Sequence, residues 1–308
     1  MILNHLNVKA PFLVLGRVGL DLYADPPGSK IIDATHFVAD LGGSAGNIAV
    51  ALAKAGADVG MISGVSSDPV GARTLHKLRE YGVDTRHIIQ AAHGYSNTLA
   101  ITESINAPEI ALYRNQAADL QIDDAQIDAI DWSNIGTLVI TGSALGASPS
   151  REATLLALDL AKQHGVTTIF DLDYRAAAWP SPECARAQYQ LACELSDLVV
   201  GNDDEIAVCS DTKGATVLEK RGAEGSILHT SPKPMVFGTL KVDALKPFGA
   251  GDAFLGTLLA TLAMGRDWPT AIERGSAAAA YVVSTIGCAS AIPTPDQLDA
   301  FMLNHGAR

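Results

Sequence analysis

Cysteine is scarce, with four in 308 residues. Cys184, Cys193, Cys209 and Cys288 show no metal-ligand spacing, and a chain this long does not need a disulfide framework. A reducing, cytoplasmic setting is therefore expected. Positive charge is also short: 22 Lys+Arg stand against 34 Asp+Glu, a formal net charge of −12. With no basic excess and no Arg/Lys cluster, a nucleic-acid partner is excluded as a general role, while a local basic pocket for a small anion is not. Every apolar stretch meets Gly, Thr, Arg or Asp before reaching membrane-spanning length, and no leader-like apolar run follows Lys9, so no membrane partner is expected. Neither a GxxxxGK[ST] loop nor a GxGxxG after the first strand occurs; GRVGLD fails the spacing. That removes the usual support for a dinucleotide oxidoreductase. Linkers, tandem repeats and low-complexity tails are missing too. One domain over residues 1–308, large enough to bury a sizeable core, is the expectation.

What is present alternates. Phe12 to Leu15 reads as a buried strand ending at Gly16, with Asp21 just beyond, at a strand's C-terminal end where open α/β sheets bind ligands. GGSAGN then leads into a helix over 47–55, in which Ile48, Leu52 and Ala55 share a face. Val59 to Gly64 predicts a strand and Asp68 to Gly82 a helix. From Thr137 onward βαβ units follow: TLVITGSAL, REATLLALDLAKQHG, TTIFDLDYR, a helix over 182–195, and DLVVGNDDE. Acids close successive strands, as in a doubly wound, mostly parallel sheet flanked by helices with one functional edge. YSNTLAITES and EIALYRN instead alternate like exposed, non-parallel strands. With the region before Asp40 they predict a small β-sheet lid built from about residues 17–40 and 95–115, able to exclude water.

The chemistry converges on KPFGAGDAF, residues 246–254. If AFLGTLLATLAMG is a helix, Gly249, Ala250 and Gly251 present N–H groups at its start, which can hold a phosphoryl oxygen. Asp252, at the lip of that anion hole, is poorly placed to bind phosphate and well placed to accept a hydroxyl proton. A tight turn with a first-turn acid is the plain alternative. Asn47 can present an amide to a polyol, or simply cap a helix. Arg114 on the lid is a candidate for a carboxylate, or an ordinary surface arginine. Asp171, Asp173 and Arg175 alternate at a strand exit and are predicted to share a side. Asn202 and Glu205 are spaced to act on hydrated magnesium, although a cap with a helix-start acid explains the same spacing. Gly222 and Gly225 allow a nucleotide to approach the backbone, as do many hairpin glycines.

GGSAGN (42–47) and KPFGAGDAF (246–254), in this order, resemble the paired motifs of the ribokinase-like, or PfkB, carbohydrate kinases, over essentially the whole chain. GLDLY, LYRNQAADL, DLDYR followed by Trp179, and LKPFGAGD are most similar to the acid-sugar kinases of that family. The resemblance implies an α/β domain with a β-lid, ATP and Mg2+ as cofactors, and a small acidic keto sugar as substrate. It implies Asp252 as catalytic base, Asp21, Gly43 and Asn47 on substrate hydroxyls, and Arg114 and Arg175 near the sugar carboxylate. Asn202 and Glu205 fall on magnesium and phosphate, Glu205 through water, and Lys220, Gly222 and Gly225 on the nucleotide side. Many members carry D-T-x-G-A-G-D, whose first Asp helps hold a monovalent cation. Here Lys246, before Pro247 and Phe248, takes that position as a cation substitute, so potassium is not expected to be required. Another sugar or nucleoside kinase and a non-catalytic sugar-binding regulator stay open, and a homodimer joined through lid edges is compatible.

Overall fold

The computed structural model describes residues 6–306 except 104, 106–108, 210, 213, 231 and 247. Pro247 of the KPFGAGD stretch thus lies outside the described residues. The strands are β1 Phe12–Leu15, β2 Gly19–Asp25, β3 His36–Gly42, β4 Val59–Val65, β5 Ile88–Gln90, β6 Thr98–Thr102, β7 Ile110–Tyr113, β8 Thr137–Thr141, β9 Thr167–Asp171, β10 Leu198–Gly201, β11 Thr216–Lys220, β12 Ser226–His229 and β13 Met235–Phe237. The α-helices are α1 Ser44–Lys54, α2 Pro69–Glu80, α3 Asp124–Asp128, α4 Ser150–Gln163, α5 Pro182–Glu194, α6 Asp203–Ile206, α7 Ala250–Ala263, α8 Trp268–Val283 and α9 Pro295–Asn304.

Nine strands form one sheet in the order β13-β12-β11-β10-β9-β8-β1-β4-β5. From β11 to β5 every neighbouring pair is parallel, and only β12 is reversed, antiparallel to both β11 and β13. All four residues of β1 are buried because helices cover both faces. Phe12 and Val14 enter one core with α1, α7, α8 and α9, while Leu13 and Leu15 enter the other with α3, α4 and α5. The chain winds outward from β1 to β5 and returns through β8 to the other side. The C-terminal ends of β1 and β8 therefore flank a topological switch point, where ligand groups gather.

Small residues set the approach of the helices that matter most. A Cβ on Gly256 of α7 would run into Ala51 and the Ile48 carbonyl of α1, and one on Gly275 of α8 would lie 2.8 Å from the Phe254 carbonyl oxygen. These contacts draw the N-terminal turns of α1 and α7 together, although the two helices are some two hundred residues apart in sequence.

The smaller sheet has the order β3-β2-β6-β7 and forms the lid. Its outer pairs are antiparallel, including β6 with β7, the two stretches expected to be non-parallel, while β2 and β6 are parallel. The reason is connectivity: β2 leaves β1 and β6 leaves β5 from the same edge of the main sheet. Asp21, just beyond the end of β1, sits within lid strand β2 and is paired with Asp40 of β3.

Candidate active site

The anion hole is built by α7. Its N-cap, Gly249, has φ +77°, a left-handed conformation that favours glycine, and a Cβ there would stand 3.2 Å from Cys288 Sγ. The first N–H groups of the helix follow at Ala250, Gly251 and Asp252, where an α-helix offers no acceptor of its own. Together with the positive end of the helix they form a binding place for an anion.

Asp252 lies in that first turn. Asn47 Nδ2 donates to Asp252 Oδ2 at 2.8 Å, joining the two glycine-rich motifs. The bond fixes the amide orientation, since only the NH2 can serve a carboxylate. Asn47 Oδ1 is left buried with no partner in a residue only 4 % exposed, an acceptor waiting for a hydroxyl. Burial, then the like charges of Asp171 and Asp173, push the Asp252 carboxyl up to about 7, against the opposing pull of Asn47 and Lys220.

Around Asp252 the strand ends supply alternating charges. Asp171 closes β9, almost wholly buried, and accepts from Lys220 Nζ at 2.7 Å. Asp173 does not continue the alternation. Its backbone turns to φ +36°, sending its carboxylate to Ser44 Oγ at 2.6 Å and to Arg175 Nη2 at 3.0 Å. Asp171, Asp173 and Arg175 thus gather at one edge by a turn, not by strand periodicity. Asn202 and Glu205 form a reciprocal capping box on α6: Asn202 Oδ1 accepts from Glu205 N–H, and Glu205 Oε2 accepts from Asn202 N–H. Glu205 is buried beside the Asp171–Lys220 pair. Among the described residues no cluster of His, Cys, Asp or Glu is arranged to hold a metal directly. The scattered acids fit a hydrated magnesium carried on nucleotide phosphates, and not an ion caged by protein.

On the lid side, Gly42 makes room for Asp21, whose carboxylate occupies the space a side chain on Gly42 would need. Gly43, with φ +95°, lies against the Arg17 carbonyl and Val18 Cα, so its small size serves a chain crossing. Burial raises the Asp21 carboxyl to about 6, with Arg17 opposing. Lys246 is 2 % exposed and donates from Nζ to the Phe248 carbonyl at 2.7 Å, one residue before the anion hole. Cys288, Asp40, Asp252 and Asp21 surround this ammonium electrostatically, while burial lowers its pKa. Four residues assigned no role at the site from sequence tie lid to body here. Asp40 Oδ2 accepts from the N–H groups of Cys288 and Ser290, and Tyr23 Oη donates to Cys288 Sγ at 2.7 Å. No local signal marks such partners, which are separated by about 250 residues.

The remaining candidates lie at the rim. Arg114 is held by Asp119, with Nε at 3.1 Å and Nη2 at 2.6 Å from Oδ2, and Nη2 also donates to the Ser143 carbonyl. Gly222, at φ +56°, faces open space. A side chain on Gly225 would strike the Phe237 carbonyl, so that glycine serves the packing of β13.

A buried carboxylate in the first turn of a helix, with free N–H groups beside it and a small sheet above, is an arrangement suited to moving a phosphoryl group onto a hydroxyl. The profile of the pfkB family carbohydrate kinases matches residues 10–295, and the chain belongs to that family. It is 35 % identical over 317 residues to a 5-dehydro-2-deoxygluconokinase of Geobacillus kaustophilus (strain HTA426), covering 96 % of this chain and 94 % of that one. Its fold matches a fructokinase with bound ATP from Xylella fastidiosa, with TM-score 0.84, 22 % identity, and coverage of 96 % and 98 % of the two chains. A putative ribokinase II from E. coli in complex with ATP and Mg2+ gives TM-score 0.85 at 21 % identity, covering 96 % and 99 %. No helix among the described residues is long and apolar enough to cross a membrane.

Proposed function

We propose that this carbohydrate kinase transfers the γ-phosphoryl group of ATP to the 6-hydroxyl of 5-dehydro-2-deoxy-D-gluconate, giving the 6-phosphate and ADP. The observation that carries the mechanism is the Asn47–Asp252 contact at 2.8 Å beside the N-terminus of α7. Asn47 Oδ1 and Asp21 receive substrate hydroxyls, Asp252 orients and deprotonates the attacking one, and the N–H groups at 249–251 meet charge developing on the transferred group. Glu205 and Asn202 would hold magnesium through water, and the ion would supply positive charge to the phosphates. The substrate assignment draws on relatives of that name, such as the one 35 % identical over nearly the whole chain. A panel of sugars read by ADP release tests it: 5-dehydro-2-deoxy-D-gluconate is expected to exceed 2-keto-3-deoxygluconate, fructose and nucleosides. A higher rate on any of these reassigns the substrate, and tight sugar binding without ADP release from any member points to a regulator.

The ammonium of Lys246 sits among Asp40, Asp21 and Asp252 and holds the Phe248 carbonyl that precedes the anion hole. A tethered cation there leaves no need for a free one and repels it. Turnover is therefore expected to be nearly independent of potassium. A strong, saturable rise with potassium at fixed ionic strength and magnesium would reject this role.

The reading extends to a homodimer. Phe37, Val38, Ile110, Leu112 and Tyr113 are exposed on the lid, and its outermost strands β3 and β7 are sheet edges that a second copy would cover. Sedimentation at micromolar concentration is expected to give a dimer; a monomer at all concentrations refutes it.

A further inference from the structure

We propose that Lys220 acts as a catalytic residue on the transferred phosphoryl group, with Asp171 as the residue that positions it. The inference rests on the kinase reading and assigns this ammonium to the reacting centre instead of to nucleotide binding alone. Lys220 is the last residue of β11, and Asp171 the last of β9, with β10 between them. The β10 strand ends at Gly201, and a Cβ on that residue would fall 2.6 Å from Leu172 Cδ1 and 3.2 Å from Glu205 Cβ. The lysine reaches past that strand end to place Nζ 2.7 Å from Asp171 Oδ1. There Nζ would lie 3.4 Å from a Cβ on Gly251, which puts the ammonium against the anion hole itself.

Asp171 is its one hydrogen-bond partner among the described residues. An ammonium has three N–H groups, so two remain for a ligand. The side chain of Lys220 is 19 % exposed and that of Asp171 is 2 % exposed, so the pair opens only on the lysine side, toward the cleft. A buried ion pair that served packing alone would be closed on both sides and would sit away from the ligand edge. Burial works against the charged lysine, but Asp171 and then Glu205 outweigh it and hold the ammonium protonated at neutral pH. A fixed positive charge at this point meets negative charge as it spreads over the oxygens of the transferring group. Asp171 prevents the flexible lysine from turning to Glu205 or Asp252 instead.

The test compares Lys220→Met, Lys220→Arg and the double variant Asp171→Asn/Lys220→Met with the parent. The double variant also removes the carboxylate hydrogen-bonded to Lys220, the largest charge stranded by Lys220→Met, so it stays informative if the single variant does not fold. Two readouts are used: kcat at saturating sugar and MgATP, and calorimetric affinity for MgADP with and without fluoroaluminate, a mimic of the phosphoryl group in flight, with sugar present. Lys220→Met and the double variant are expected to lose roughly 100-fold in kcat, the scale of a single charge-stabilising donor. The sugar KM and the affinity for MgADP alone should change less than about threefold, while the gain from fluoroaluminate disappears, with partial return in Lys220→Arg. A retained fluoroaluminate gain in folded Met variants overturns the role of Lys220 and leaves the kinase reading intact. No fluoroaluminate gain in the parent, together with no ADP release, overturns both.

Discussion

Asp252→Asn is expected to lower turnover by at least ~10²-fold while the chain stays folded and keeps its affinity for ATP, within the usual range for acid–base assistance. The amide preserves the shape of the residue but cannot accept a proton from the attacking hydroxyl. It also meets Asn47 Nδ2 through its own oxygen, so the 2.8 Å contact between the two motifs survives. Loss of activity through unfolding is not expected. The folded chain holds the Asp252 carboxyl at about 7, above its ordinary value of 3.8, because of burial and then the charges of Asp171 and Asp173. A carboxyl raised in this way contributes stability below its unfolded pKa and loses it as pH rises through the folded value. At pH 8 the asparagine variant should therefore melt no lower than its parent. Near-normal turnover in a purified, folded variant would remove Asp252 from the role of base.

The same shift gives the pH dependence a sign. The base must be unprotonated, so kcat/KM of the parent should fall as pH drops through about 7. Asp21 and Asp171, each raised to about 6 chiefly by burial, titrate lower and steepen the acid side. In Asp252→Asn the limb near pH 7 should vanish, leaving a low and flatter profile. A parent profile flat from pH 5.5 to 8 would contradict the assignment.

Much of this site was legible in the chain because its chemistry is local. Three small residues and an acid before an apolar helix say where an anion hole is, whatever surrounds it. The apolar run of β1 and the acids at the end of β9 and just beyond β10 likewise pointed to the sheet and its functional edge. What stayed hidden depends on approach between distant segments. The pairing of Lys220 with Asp171 spans 49 residues and that of Asp40 with Cys288 spans 248, and neither leaves a pattern in its own neighbourhood. The chain crossings at glycines were hidden too: Gly43 lies against the Arg17 carbonyl and Gly225 against the Phe237 carbonyl. Asp173 defeated the alternation rule through a single left-handed residue, which no periodicity anticipates.

Arg175→Met is expected to cut kcat/KM for the keto-deoxy acid by a factor of roughly 30 to several thousand, the loss of a charged contact of about 2–5 kcal/mol. A neutral-sugar kinase has no use for a free guanidinium near its base, whereas an aldonate carries a permanent carboxylate at pH 7. The sequence offered Arg114 and Arg175 as equals, and the structure separates them. Arg175 is two-thirds exposed, anchored among the described residues only at Nη2 by Asp173, with Glu205 and Asp252 within its electrostatic reach. One edge of its planar fork therefore remains for a substrate anion. Arg114 is 12 % exposed, and its Nε and Nη2 are engaged by Asp119 and Ser143. Arg114→Met should also weaken use of the acid, but with a lower melting temperature, because Asp119, with 1 % of its side chain exposed, would lose its countercharge. Arg175→Met should melt close to the parent and leave any residual rate on fructose nearly unchanged. Kinetics on both sugars, with Lys246 untouched so that its positive potential is constant, decide the matter. Equal losses on acid and neutral sugar would mean that Arg175 shapes the cleft through Asp173 and Ser44 and does not read the carboxylate; no loss on either would leave it a solvated surface group.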